Sequence, residues 1–215
     1  IYFANKSPNL INLFRDCMVT AFNIAPDRVR IREIKNANGV CAAVVNSKEI
    51  GNYLVSRFGT FRTLKFKNGE LPKARLPITE LLKSGYVKDF LQTAFSCDGG
   101  VSFYPASRAG TRGGTKWLIR TVFLSCAHPK LRSDYVTLLR ALDIQVRNVP
   151  GDNKIKIETK VDIQKFQERI GFVSGTMITD HSRYWRGQMK QEVLSMMIAS
   201  YQNPGLIYRL PKFQV

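Results

Sequence analysis

The sequence predicts an α+β fold built from a duplicated unit. Apolar residues recur at helical spacing in some segments and alternate strictly in others. The two kinds of segment then follow one another in the same order twice. With 215 residues, 44% of them hydrophobic, the chain can bury one large core or two small ones.

Residues 9–24 place Leu10, Leu13, Phe14, Met18 and Ala21 on one helical face. Arg28, Arg30 and Arg32 alternate with Val29 and Ile31, which reads as a strand with one basic face. Asn36-Ala-Asn-Gly39 is a turn signal ahead of a returning strand, Val40 to Val45, and Lys35 borders that turn. Ser47 is a capping residue before a helix that closes at Gly59.

The same order returns later. Pro129-Lys-Leu opens a helix to about Ile144, as Pro8-Asn-Leu opens the first. Arg147 leads into a Pro150-Gly151-Asp-Asn turn, followed by Lys154 and Lys156 alternating with Ile155 and Ile157. The helix VDIQKFQERIGF aligns Phe166 with Leu54, Arg169 with Arg57 and Gly171 with Gly59. The offset shrinks from 121 residues at the prolines to 112 at the glycines, so one turn is shorter. Residues 60–85 are basic, interrupted by Pro72 and Pro77, and read as a linker. Residues 184–202 read as one amphipathic helix without a counterpart in the first half.

Thirty-three Lys and Arg against sixteen Asp and Glu leave a net charge of +17, and such an excess favours a polyanionic partner. No apolar run reaches the roughly 18 residues that span a bilayer. Four scattered cysteines and two histidines give neither a zinc pattern nor a secreted disulfide framework, and favour an intracellular setting. The Gly- and Arg-rich loop 107–115 lacks the G-K-[ST] ending of a nucleotide-binding loop.

The stretch most suited to chemistry is Val87 to Gly100. Leu91 and Phe95 share a helical face, while Thr93 and Cys97 are small enough for another helix to approach. The helix is expected to end at Gly99-Gly100, which readily take positive φ. Asp98 then sits at the helix C-terminus, where unpaired carbonyls already make a carboxylate unfavourable. A divalent cation would relieve that conflict, since magnesium prefers oxygen donors. An ordinary Asp-Gly turn is the bland alternative.

Residues 91–99, LQTAFSCDG, resemble the LAGLIDADG motif of homing endonucleases, with Leu91 at its start, Asp98 at its acid and Gly99 at its end. Residues 86–172 are similar to one complete half of that family, and residues 1–59 to the later part of another half, lacking its first helix and strand. Residues 173–215 form a C-terminal extension. Thr93 stands where the family has Gly, which would widen the contact between motif helices, and Ser96 replaces the first acidic position. Asp98 precedes Pro129 by 31 residues, and the same step back from Pro8 falls outside the sequence. The first motif helix and its acid are therefore expected in a further N-terminal segment, or in another chain.

The resemblance implies a pseudo-two-fold αββαββα fold with saddle-shaped antiparallel sheets, working as a monomer of two halves. It implies site-specific, metal-dependent cleavage of a long, largely asymmetric double-stranded DNA target with a staggered break, by an intron-encoded enzyme of a prokaryotic cytoplasm or an organelle. Asp98, with the main-chain carbonyl of Cys97, would hold Mg²⁺. Mn²⁺ is expected to substitute, and Ca²⁺ to bind without supporting cleavage. Lys116 and Arg120 are the candidate basic residues at the active centre. DNA contacts are expected from Arg28, Arg30, Arg32 and Lys35, from Ser102, Tyr104, Lys116 and Arg120, and from Arg147, Lys154 and Lys156. The loop residues Ser107, Arg108, Thr111 and Arg112 complete the expected surface. Ser102, Tyr104, Lys116 and Arg120 are taken to alternate with Val101, Phe103, Trp117 and Ile119, although Leu118 and Val122 blur the pattern. An intron RNA maturase or an inert DNA-binding protein of the same fold is the alternative. A basic ribosome-associated structural protein is a further one.

Overall fold

The computed structural model describes residues 1–63, 65–107, 116–148, 151–179 and 182–203, with the side chains of Ser107, Lys116 and Asn148 left aside. The chain has an α+β fold that divides into two compact units. Unit 1 comprises Ile1–Pro77 and Ser174–Thr176, and unit 2 comprises Ile78–Val173 and Met177–Val215.

Unit 1 runs β1 (Tyr2–Asn5), α1 (Pro8–Phe22), a 3-10 turn (Pro26–Arg28), β2 (Val29–Glu33), β3 (Cys41–Val45) and α2 (Lys48–Phe58). Its sheet is antiparallel in the order β1-β3-β2. Pro8 occupies the first turn of α1, where its missing N–H leaves no bond unmade, and Asn23 ends the helix at a φ of 48°. The face of α1 carrying Ile11 and Met18 packs on Val29, Ala43 and Val45, with Phe3 stacked on Phe14 at 5.1 Å. Each Val, Ile, Met or Phe side chain among these contributes about 1.5–3 kcal/mol when fully buried. The turn between β2 and β3 uses Asn36, Asn38 and Gly39, all at positive φ, which these residue types tolerate best. Ser47 caps α2 by accepting the Ile50 N–H at 3.2 Å.

Unit 2 runs α3 (Ile78–Ser84), α4 (Val87–Asp98), β4 (Gly99–Ser107), β5 (Lys116–Ser125), α5 (Pro129–Ala141), β6 (Arg147–Asn148), β7 (Lys154–Ile157), α6 (Lys160–Arg169) and α7 (Lys190–Ala199). Its antiparallel sheet has the order β4-β5-β7-β6. The succession β5-α5-β6-β7-α6 repeats β1-α1-β2-β3-α2, and the strand orders β5-β7-β6 and β1-β3-β2 correspond. The pair α4-β4 has no equivalent among the described residues of unit 1.

Leu91 and Phe95 of α4 are fully buried, as their spacing requires, and Phe95 meets Phe166 of α6 at 4.8 Å. Ser96 is an internal tie: its hydroxyl donates to Gln92 O at 2.6 Å and accepts the Val173 N–H at 2.8 Å. His128 caps α5, its Nδ1 accepting the Leu131 N–H at 3.3 Å. Thr159 caps α6 in the same way, its hydroxyl accepting the Asp162 N–H at 3.1 Å.

Three local expectations are corrected. The final stretch of 60–85 is the helix α3 rather than a continuous linker. The helix expected over 184–202 begins only at Lys190, because Trp185 and Gly187 stand at φ of 64° and 70° and break any earlier helical path. Gly99 does not take positive φ. It is extended, at −108°, and a Cβ there would lie 2.6 Å from both the Phe123 and the Phe95 carbonyl oxygens. The glycine is required by close approach of backbones, not by a left-handed turn. Among the described residues no helix is long and apolar enough to cross a membrane.

Candidate nucleic-acid interface and metal centre

In an antiparallel ladder, residues directly opposite one another project to the same face. The register of unit 2 therefore assigns its residues to two faces. One carries Val101 and Phe103 of β4, Val122 and Leu124 of β5, and Ile155 and Ile157 of β7, all buried in the core. The other carries Ser102 and Tyr104 of β4, Trp117, Ile119, Thr121 and Phe123 of β5, Lys154 and Lys156 of β7, and Arg147 of β6. Arg147, Lys156, Phe123 and Gly100 form one row across all four strands.

Three cations on this open face already have partners. Lys156 pairs with Asp152 at 2.7 Å, Arg147 with Glu158 at 3.4 Å, and the Lys154 ammonium lies 4.6 Å from the centre of the Phe123 ring. Exposed pairs of this kind are weak, about 0–1 kcal/mol, so a stronger anion can compete for the same cations.

Arg120 departs from the expected pattern. It lies opposite Phe103, on the core face rather than beside Ser102 and Tyr104. Its Nε donates to Ser200 Oγ at 2.8 Å, its terminal nitrogen to Ser200 O at 3.0 Å, and its guanidinium lies over Tyr201. Leu118, Val122 and Leu124 set the inward phase of β5, and Trp117 and Ile119 turn to the open face. Lys116 pairs with Ser107 at the end of the ladder, and both side chains lie outside the described set. Arg108, Thr111 and Arg112 lie outside the described residues altogether.

In unit 1, Arg30 and Arg32 lie opposite Val44 and Ala42, and Val44 in turn faces Tyr2, on the side of the sheet away from α1. Both arginines are exposed, as is Lys35 in the following turn. Arg28 is not part of the strand. It closes the 3-10 turn and lines a groove with Asp27, Arg30 and Ser47.

Asp98 is the last residue of α4, one residue before the strand that begins at Gly99. It is exposed, yet the protein packed around its carboxyl raises its pKa above the usual value, while Lys190 pulls it back down. Burial, reinforced by Asp98 and opposed by Lys190, pushes the Cys97 thiol up to about 11. Lys190 is the residue that sequence reasoning missed. It is buried at 6% exposure, and its ammonium donates to Ser96 O at 2.7 Å and to Gly99 O at 2.8 Å. Burial lowers its pKa from 10.5 to about 8, against the pull of Cys97 and Asp98.

The charge conflict expected at the end of α4 is thus relieved by an ammonium from α7, not left for a metal alone to relieve. Among the described residues no three His, Cys, Asp or Glu side chains converge. One carboxylate and a neighbouring main-chain carbonyl remain a chemically suitable start for magnesium. That ion is commonly bound by one or two carboxylates, completed by substrate phosphate and water.

No family model matches the sequence, and no curated protein matches it. Solved structures do. The LAGLIDADG homing endonuclease I-SmaMI bound to cleaved DNA is 11% identical, the match covering 99% of this chain and 81% of that one with a TM-score of 0.46. I-SmaMI bound to an uncleaved DNA target in the presence of calcium ions gives 11% identity, 99% and 82% coverage, and 0.46. The meganuclease I-SmaMI bound to an uncleavable DNA with a TTGT central four gives 12% identity, 97% and 81% coverage, and 0.46. Along nearly its whole length the chain is structurally similar to a LAGLIDADG homing endonuclease, at low sequence identity.

Proposed function

We propose that the chain is a DNA endonuclease of the LAGLIDADG type, reading a long duplex site with its sheet faces and cutting it with a divalent metal. The observation that carries this reading is the row Arg147–Lys156–Phe123–Gly100, which ends two residues from Asp98. A β-ribbon fits the major groove, and its outward side chains can reach base edges. Cations on such a face hold phosphates and set the register of the protein on the duplex.

The Asp98 carboxylate and the Cys97 carbonyl would hold Mg²⁺, with Mn²⁺ able to replace it and Ca²⁺ supporting binding only. When bound, such an ion activates water and stabilises the leaving oxygen of an in-line phosphodiester displacement. Lys190 fixes the helix end that presents Asp98, and supplies the cation beside it. Arg120 is committed to Ser200 and is not assigned a role in cleavage. The enzyme would work as one polypeptide with two pseudo-symmetric halves, unless the helix that supplies the second acid comes from another chain.

A second reading, an inert duplex-binding protein of the same fold, is favoured by the absence, among the described residues, of three converging His, Cys, Asp or Glu side chains. Incubating the chain with a randomised duplex library decides between them. Recovery of one cut motif in Mg²⁺ and the same motif bound but uncut in Ca²⁺ supports the nuclease. Selection of a bound motif without cutting in either ion supports the inert binder. Loss of all duplex preference in favour of folded RNA sinks both.

A further inference from the structure

β4 is an edge strand, and the segment 182–189 packs against it through Tyr184 and Trp185. Successive residues of β4 project to opposite faces, and successive residues of the segment meet them in turn. Trp185, 3% exposed, stacks on Phe103 with centroids 5.5 Å apart, and its indole N–H donates to the Phe103 carbonyl. Tyr184 stacks on Tyr104 at 5.1 Å, on the open face that carries Lys154 and Lys156. Arg183 is exposed, its guanidinium 5.3 Å from the centre of the Tyr184 ring.

The positive φ of Trp185 holds the segment in this path, a conformation that a bulky residue adopts only when its surroundings impose it. β4 and the segment together line a groove of about 560 Å³. The buried tryptophan is thus an anchor, and what it anchors is an arginine on an aromatic platform beside a basic sheet face.

We infer that Arg183, carried by the Tyr104–Tyr184 stack, is an added contact to a backbone phosphate of duplex DNA, extending the sheet face beyond its edge strand. The inference rests on the reading of that face as a DNA interface. An arginine stacked on a ring is pre-organised, so less side-chain freedom is lost when it meets a phosphate. The partner is a phosphate rather than a base edge because the group lies outside the ladder whose side chains would enter the groove.

The test is binding of a labelled random-sequence duplex over a range of salt concentrations, for the parent, Arg183→Ala, Tyr184→Ala, Tyr184→Phe and Lys154→Ala. Arg183→Ala is expected to lower the slope of log K against log salt by about one. Tyr184→Ala is expected to do the same although Arg183 is still present, whereas Tyr184→Phe keeps the parent slope. A parent slope in Arg183→Ala while Lys154→Ala lowers it overturns this inference and leaves the DNA face standing. Parent slopes in both overturn the DNA reading as well. Near-ultraviolet circular dichroism of Arg183→Ala confirms that the exposed substitution leaves the packing of Trp185 intact.

Discussion

The ammonium of Lys190 closes the helix that carries Asp98: it donates to Ser96 O at 2.7 Å, across 94 residues of sequence. With Gly99 O at 2.8 Å as its second acceptor, it neutralises the negative end of α4 from within the protein. Folding of this end is therefore expected without metal, so the proposed role of Asp98 can be tested in a protein that still folds.

Asp98→Asn is accordingly expected to abolish cleavage in Mg²⁺ while duplex binding stays within about twofold of the parent, since the removed charge lies off the basic row. The change also removes a carboxylate whose pKa is raised by burial. Its thermal midpoint should thus equal or exceed that of the parent. Equal cutting rates for the two proteins would remove Asp98 from the mechanism.

Lys190 makes stability depend on pH in a defined direction. Its folded pKa of about 8 lies below the ordinary 10.5, so between these values the unfolded chain binds a proton that the folded chain has released. Stability contributed by this group therefore rises with pH from about 8 upward. Cys97, raised from 9.0 to about 11, acts in the opposite sense above pH 9. Denaturant midpoints between pH 8 and pH 9 should rise more steeply in the parent than in Lys190→Met. Parallel curves would show that Lys190 does not titrate there.

Arg120→Ala is expected to destabilise the protein by about 1–3 kcal/mol, because the Ser200 carbonyl loses a charged donor inside the fold. The salt slope of duplex binding should not change. A lowered slope at parent stability would return Arg120 to the binding surface.

Two glycines should respond with opposite signs. Gly99→Ala forces a Cβ to within 2.6 Å of two backbone oxygens and is expected to cost about 1–3 kcal/mol or more. Gly51, inside α2, has nothing within 4 Å of its built Cβ, so Gly51→Ala should stabilise by about 0.5–1 kcal/mol. Urea titrations of both variants give the two signs directly.

Much of this architecture is legible in short-range sequence pattern. The Ser47 cap, the Leu91–Phe95 face and the recurrence of Pro8 at Pro129 each depend on residues within a turn or two. The Arg120 face is not legible in that way. Leu118 and Val122 make β5 apolar on both phases, and only pairing with β4 selects which phase points inward. Lys190 reads from its neighbours as an ordinary surface lysine at the start of a helix. Its burial comes from carbonyls on α4 and β4 that no local pattern brings near. The break at Trp185 and Gly187 is hidden for a related reason, since the stacking that holds Trp185 comes from β4.

The strict alternation along β4 and β7 has an evolutionary corollary. Ser102, Tyr104, Lys154 and Lys156 can be exchanged without touching Val101, Phe103, Ile155 or Ile157, which pack on the reverse side. On the proposed reading of that face, preference for a new target could therefore drift, or be engineered, while the scaffold beneath stays intact.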